Sequence, residues 1–332
     1  MNIGHFPAQP HCFAYGGFDI QMNRVIDLIA AENVPMVRVN PWDREVRFGV
    51  AHFWGGEESH ATALRFCAER GIRTAVSVLL PNASGGAAKK LAARGFARRL
   101  VKGPPAYTKA EIVTVINDQQ ATFAREVLRL PEARIRVIPT IVDEVFFEPT
   151  VRSKSLPESY VLCVGTVCRR KNQLTLLRAA HKTGHRVVLC GHYDDADPAY
   201  RQEVQAEIDA SGGRFCRLSG VSARQLRELY ENCSLLACIS DHETEPASVL
   251  EAMIVGKPVL TSERPFADNP KFRGCTRCDA DSVDAMARGI REACGAEARY
   301  PDFVPHQHRA SSVVASYIAL YRDLGLPVGG PT

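Results

Sequence analysis

The chain lacks any run near the roughly 20 consecutive apolar residues that span a bilayer as a helix, so no membrane-spanning helix is expected. Its start, "MNIGHFPAQP", has neither a basic head nor an apolar run, and no secretory signal is read there. Two nucleotide-binding fingerprints are missing as well. No Gly-x-Gly-x-x-Gly occurs, and the "GKP" at Gly256 has no partner glycine at Walker A spacing. Charge of one sign is not in excess: 41 Lys and Arg against 37 Asp and Glu leave a net charge of +4. That balance neither demands a nucleic acid nor excludes an anionic ligand. The one Cys-x-x-Cys, Cys275 to Cys278, has no second pair at zinc spacing and reads as a surface loop. The 11 cysteines sit mostly in apolar runs such as "YVLCVG" and "LLACIS". Buried thiols in a reducing cytoplasm explain them better than disulfides do.

What the chain does have is alternation. Short apolar runs ("NIGHF", "VPMVRVN", "VAHFWG", "IRTAVSVLL", "EIVTVIN", "RIRVIPT") are separated by stretches with apolar residues at helical spacing, such as "IQMNRVIDLIAAEN" and "ATALRFCAERG". Strands alternating with helices predict crossover units and a parallel sheet. The pattern lapses at "DEVFFEPTVRSKSLPES", a linker by composition, and restarts with "YVLCVG", "HRVVLCG", "RFCRLSG", "SLLACIS" and "KPVLTS". With 332 residues, the fold class expected is α/β: two doubly wound Rossmann-like domains facing each other across a cleft. The domains are read as 1–150 and 151–308, with a terminal helix over 309–325 packing across their junction.

Ligands of open parallel sheets bind beyond the carboxyl ends of the strands, so the strand-to-helix loops are where chemistry is sought. In "AYGGFD", Gly16 and Gly17 let backbone approach a ligand at a helix N-terminus; a flexible turn reads equally well. In "VGTVCRRKNQ", the strand ends at Gly165 and Arg169, Arg170 and Lys171 precede a helix read as capped by Asn172. Three cations beside a positive helix terminus make a diphosphate trap, against the alternative of a solvated basic turn. In "ETEPASVLEAMIVGKPVL", Ser248 and Glu251 have the spacing of a capping box. A cap accounts for Glu251 but not for Glu243, and carboxylates also accept paired sugar hydroxyls.

These motifs together resemble retaining glycosyltransferases of the GT-B fold, family 4, the group 1 enzymes. In that family a glutamate, seven intervening residues and a second glutamate precede a segment like "LEAMIVGKPVL", and Glu243 and Glu251 match the spacing. "GGFDIQMNRVIDLI", "IRVIPTIVDEVFFEP" and "SVVASYIALY" extend the resemblance over nearly the whole chain. It implies transfer of a sugar from a nucleotide-diphosphate sugar to a hydroxyl on a saccharide or lipid-linked saccharide, as in bacterial surface polysaccharide or glycolipid synthesis. Glu243, Arg170 and Lys171 would be catalytic. Gly16, Gly17, Gly165, Thr166, Arg170, Lys171, Glu243, Ala247, Ser248, Val249 and Glu251 would bind the donor, with Glu251 on the ribose.

The same resemblance implies no cofactor and no metal, which makes the Asp clusters in "YDDADP" and "DAD" solvated loops. No nucleic-acid partner is expected. Two departures stand out. "TEPAS" replaces Gly-Phe-Gly-Leu-Pro, and Leu79 and Leu80 stand where many relatives have a histidine, leaving His52 or His60 as substitutes. They keep open a GT-B epimerase or a non-catalytic sugar-nucleotide binder. The basic stretch at 89–103, with Arg94, Arg98 and Arg99, reads either as a solvated helix face or as a surface for anionic lipid. Location is expected to be cytoplasmic, with weak peripheral attachment to the inner membrane face.

Overall fold

The computed structural model describes residues 2–12, 16–56, 58–82, 105–149, 159–266 and 269–327. The basic stretch at 89–103 lies outside them. The chain divides into two compact units, residues 1–141 with 306–332, and residues 142–305. No described helix is long and apolar enough to cross a membrane.

The first unit is a six-stranded sheet of β1 (Ile3–Phe6), β2 (Met36–Arg38), β3 (Val50–Trp54), β4 (Arg73–Ser77), β5 (Ile112–Val115) and β6 (Ile135–Val137). Its order is β2-β1-β3-β4-β5-β6 and every pairing is parallel. Among the described residues, the helices between them are α1 (Gly17–Ala31), α2 (Ala61–Glu69) and α3 (Asp118–Glu126). Side chains alternate across the sheet. Val50 and Trp54 pack with Met22, Val25, Ile26 and Ile29 of α1, whereas Ala51 and Phe53 pack with Leu64 and Cys67 of α2. Helices on both faces explain why β3 is buried throughout rather than alternately. The terminal helix, Ala310–Asp323, adds Val313, Tyr317, Leu320 and Tyr321 to the α1 side of this core.

That core holds a polar seam. His52 Nδ1 meets the Tyr321 hydroxyl at 2.7 Å, His52 Nε2 meets Ser77 Oγ at 2.8 Å, and Ser77 meets Thr114 Oγ1 at 2.6 Å. Trp54 Nε1 donates to His5 Nδ1 at 3.0 Å. Burial, with Arg38 nearby, holds His5 down to about 3, and burial likewise holds His52 well below its usual value. His52, the substitute considered for the absent histidine, is therefore a neutral core residue tying the terminal helix to the sheet. His60 is also buried, its Nε2 bonded to the Pro7 carbonyl at 3.0 Å.

The second unit contains β7 (Val161–Val164), β8 (Val187–Cys190), β9 (Phe215–Leu218), β10 (Leu235–Cys238), β11 (Val259–Ser262) and β12 (Thr276–Cys278). The order is β12-β11-β10-β7-β8-β9, again all parallel. β12 corrects the surface-loop reading of Cys275–Cys278. Three residues are too few for a visible period, yet edge pairing to β11 buries Cys278. All 11 cysteines are free thiols.

Its helices are α4 (Gln173–Thr183), α5 (Pro198–Asp209), α6 (Ala223–Asn232), α7 (Ala247–Val255), α8 (Glu263–Phe266) and α9 (Val283–Cys294). The unit begins before the compositional linker because Val142, Val145 and Phe146 pack with Leu229 and Tyr230 of α6. Arg227, in a buried pair with Glu231, donates to the carbonyls of Val145, Phe146 and Glu148.

Candidate functional site

In the second sheet the strand order reverses between β7 and β10, which makes their carboxyl ends the switch point where open α/β sheets bind ligands. The loops leaving those two strands are the ones that carry the predicted residues. After β7, Gly165 adopts φ +133°, and a Cβ there would lie 3.3 Å from Lys171 Cε. The missing side chain gives Lys171 its bed. Arg169–Lys171 form a 3₁₀ turn, and Asn172 follows in the left-handed conformation that Asn tolerates. Buried Gln173 stitches the loop, donating to the Thr166 carbonyl at 3.0 Å and accepting from the Cys168 amide at 3.3 Å. Gln173 was not among the predicted site residues. Amides are common at helix starts, and nothing in the local pattern marks this one as a loop brace.

After β10 the chain turns back onto this loop. The Asp241 amide donates to the Arg170 carbonyl at 2.9 Å. Arg170 NH1 reaches the His242 carbonyl at 2.8 Å and Glu243 Oε1 at 3.0 Å, and Lys171 Nζ reaches the same Oε1 at 2.6 Å. Lys171 and Glu243 are 13% and 12% exposed, whereas Arg170 is half exposed. Burial alone would push the Glu243 carboxyl up; Lys171 and Arg170 outweigh it and hold the carboxyl below its usual range. Burial likewise opposes the Lys171 ammonium, but the Cys238 sulfur and Glu243 carboxylate outweigh it, and its value is raised. The pair is thus charged on both sides at neutral pH. The third cation of the predicted trap points elsewhere: Arg169 pairs with Asp197 at 2.6 Å and Glu203 at 3.1 Å.

The capping box is overturned. α7 begins at Ala247 behind Pro246, with no side-chain cap, so Ser248 and Glu251 both lie inside the helix. Pro246 enforces this by pre-setting φ for the turn into the helix. Glu251 Oε2 instead accepts from the Tyr230 hydroxyl at 2.7 Å, and the same hydroxyl lies 3.0 Å from the Ser248 carbonyl. Burial and the Glu251 carboxylate push the Tyr230 phenol well above its usual value, so it stays a donor. Asn172 is corrected too. It holds the N-cap position of α4 without bonding a helix amide; its Oδ1 accepts from Thr175 Oγ1 and its Nδ2 donates to the Ala280 carbonyl.

Caps elsewhere in this unit show what α7 lacks. Asp197, Ser222 and Ser282 cap α5, α6 and α9, and the Tyr200 hydroxyl takes the Leu174 amide of α4. At α7, Val249 and Leu250 bond back to the Pro246 carbonyl, while no side chain caps the first turn. An uncapped N-terminus that follows Glu243, the partner of both cations, within the same loop is suited to an anion. The Asp clusters are turn-formers: Asp194 accepts from the Ala196 amide, Asp197 from Tyr200, and Asp279 from Asp281.

Gly165, Thr166, Arg170, Lys171 and Glu243 are thus brought together, and Ala247, Ser248, Val249 and Glu251 share the first turns of α7. Gly16 and Gly17 stand in the first unit at the head of α1, where the Gly16 amide donates to Asp19 Oδ2 at 2.9 Å. A Cβ on either glycine would meet nothing within 4 Å.

One expected outcome follows from the Tyr230 contact. Tyr230→Phe should lower unfolding free energy by about 1 kcal/mol, the worth of a hydrogen bond whose donor is fully buried and whose acceptors are the Ser248 carbonyl and the half-buried Glu251. Glu251→Gln, which keeps an acceptor oxygen, should change it far less. Urea denaturation of both variants checks this: no loss in Tyr230→Phe would mean the contact carries no stability, and an equal loss in Glu251→Gln would mean that the carboxylate charge sustains it.

The fold is that of GT-B glycosyltransferases. A sucrose-phosphate synthase from Thermosynechococcus elongatus is similar at a TM-score of 0.73 and 17% identity, with 98% of this chain and 99% of that one covered. The Anabaena protein HepE, solved with UDP and glucose, is similar at 0.66 and 12% identity, covering 97% and 99%. WaaG, a glycosyltransferase involved in lipopolysaccharide biosynthesis, is similar at 0.57 and 14% identity, covering 98% and 96%. At these identities the likeness speaks to fold alone. No curated protein matches the chain. Residues 147–295, which contain the whole of the site built on β7, β10 and α7, match the family model described as glycosyl transferases group 1.

Proposed function

We propose that the protein is a retaining glycosyltransferase of family 4 type. It would move a sugar from a nucleoside-diphosphate sugar to a hydroxyl acceptor, and its second unit would hold the donor. The observation that carries this reading is the Lys171–Glu243–Arg170 cluster at the β7–β10 switch point, beside the uncapped start of α7. A diphosphate arriving there meets two cations and the free amide end of a helix. Glu243, released from Lys171, becomes an acceptor for sugar hydroxyls, and Glu251 serves the ribose.

In the transfer, the bond from the anomeric carbon to the diphosphate oxygen breaks and a bond to the acceptor oxygen forms on the same face. The acceptor proton leaves with the departing diphosphate. Arg170 and Lys171 stabilise the charge that grows on that leaving group, the largest single contribution such a site can make. Two fixed cations fill the role a metal would otherwise take, so the proposed reaction is metal-independent. The group 1 match over the site supports the reaction class. WaaG is a glycosyltransferase involved in lipopolysaccharide biosynthesis and HepE was solved with UDP and glucose, so a bacterial glycan acceptor and a UDP-sugar are the first pair to try.

The test is a thermal-shift screen of nucleotide sugars followed by product analysis with saccharide and lipid-linked acceptors. A true donor at about 100 times its Kd stabilises by roughly 2.7 kcal/mol. Stabilisation by a nucleoside diphosphate and its sugar, abolished by Glu251→Gln, is the expected result. No shift with any nucleoside diphosphate would remove the donor site.

A further inference from the structure

Two lysine–glutamate pairs grip the segment between β10 and α7. One is Lys171–Glu243. A bound donor would divide it, because phosphates draw the ammonium while sugar hydroxyls draw the carboxylate. The elbow then loses its hold on the β7 side at the moment its geometry matters. The other pair is Lys271–Glu245, in which the Glu245 side chain is wholly buried and Lys271 is 17% exposed. Glu245 directly precedes Pro246, the residue from which α7 starts.

Lys271 reaches over from a packed turn. It lies in the 3₁₀ turn Pro270–Phe272, where its amide donates to Asn269 Oδ1 at 3.0 Å. Phe272 is fully buried, and its ring packs edge-on against Phe266 at 5.1 Å. Both phenylalanines belong to the core formed by Val249, Leu250 and Met253 of α7. The elbow is also tied to β11, through the Ser262 hydroxyl on the Ser240 carbonyl at 2.5 Å.

We propose that Lys271 and Glu245 are a positioning pair, which keeps the elbow and the start of α7 in place while Glu243 exchanges Lys171 for the donor. This rests on the donor-site reading of Glu243 and Lys171. Stability by itself does not call for such a pair. A buried ion pair is often no more stabilising than well-packed apolar side chains of similar size. Its distinguishing property is direction: a carboxylate and an ammonium in contact admit few geometries, whereas apolar side chains admit many.

The experiment compares the full-length protein with the double variant Glu245→Leu, Lys271→Met, and with Glu245→Gln should the double variant not fold. Amide hydrogen exchange without ligand is read at Glu243, Thr244, Glu245, Ala247 and Ser248. About ten-fold faster exchange there, with core strands protected as in wild type, is expected. UDP and GDP affinity should persist, since Lys171 and Arg170 remain, while kcat for transfer falls. Unchanged exchange at the elbow, or faster exchange with undiminished kcat, overturns the proposal. If wild type binds no nucleoside diphosphate, UDP and GDP included, the donor reading fails instead, and the exchange result still decides whether the pair anchors the elbow.

Discussion

Lys171→Met should abolish tight nucleoside-diphosphate binding. The ammonium is nearly buried, lies against Gly165, and shares Glu243 with Arg170. A charge-assisted hydrogen bond is worth about 1.5–3 kcal/mol, so affinity should fall by roughly 10- to 150-fold. The free protein should suffer as well, because Glu243 keeps its charge in a site where only the half-exposed Arg170 remains. Arg170→Met should cost less on both counts, since solvent already screens that guanidinium. Isothermal titration with UDP and GDP reads the first effect and urea unfolding the second. Equal diphosphate affinity in wild type and both variants would reduce the basic loop to a solvated turn.

The same cluster has a defined pH window. Glu243 has a depressed folded value, so its stabilisation is present above the ordinary carboxylate value near 4.3 and is lost as pH falls through the folded one. Lys171 has a raised folded value, so its contribution is complete below the ordinary lysine value near 10.4 and is lost only as pH climbs through the folded one. Diphosphate affinity should accordingly be governed between these limits by the ligand's own ionisation. A titration of the protein near neutrality that controlled binding would place a different group in the site.

Gly191→Ala is expected to be the most damaging single-methyl change near the site. Gly191 directly follows β8, and a Cβ there would fall 2.1 Å from the Gly165 carbonyl oxygen and 2.6 Å from its carbon. Neither contact is with a flexible side chain. The strand ends also cannot part freely: the Gly165 amide donates to the Cys190 carbonyl at 2.9 Å and the Gly191 amide to the Leu218 carbonyl at 2.8 Å. Arg217 NH1 holds the Gly191 carbonyl from the far side at 2.9 Å. Overpacking of this kind costs about 1–3 kcal/mol, and more where backbone must move. Because Gly165 is also the bed of Lys171, diphosphate affinity should fall along with stability. Urea unfolding with an unchanged m-value, paired with UDP titration, is the measurement. Wild-type values in both would show slack between β7 and β8 that these distances deny.

The parallel two-sheet architecture was legible from alternation alone, because apolar runs and helical spacing are local signals that tertiary packing does not reverse. Of the strands, β12 was missed, since three residues on a sheet edge carry no period of their own. Glu243, Arg170 and Lys171 were singled out through spacing and resemblance, and the fold brings them into contact by placing β7 beside β10. The fate of Glu251 was not legible. Ser-x-x-Glu is a capping box only if the helix starts after the serine, and here Pro246 starts it earlier, leaving Glu251 to Tyr230 from another helix. Arg169 and Arg170 likewise look alike in sequence, yet one turns to α5 and the other to Glu243. Local pattern determined which residues were available to the site. Which of them face one another was decided by long-range packing, because a side chain's partner depends on elements that no short window of sequence contains.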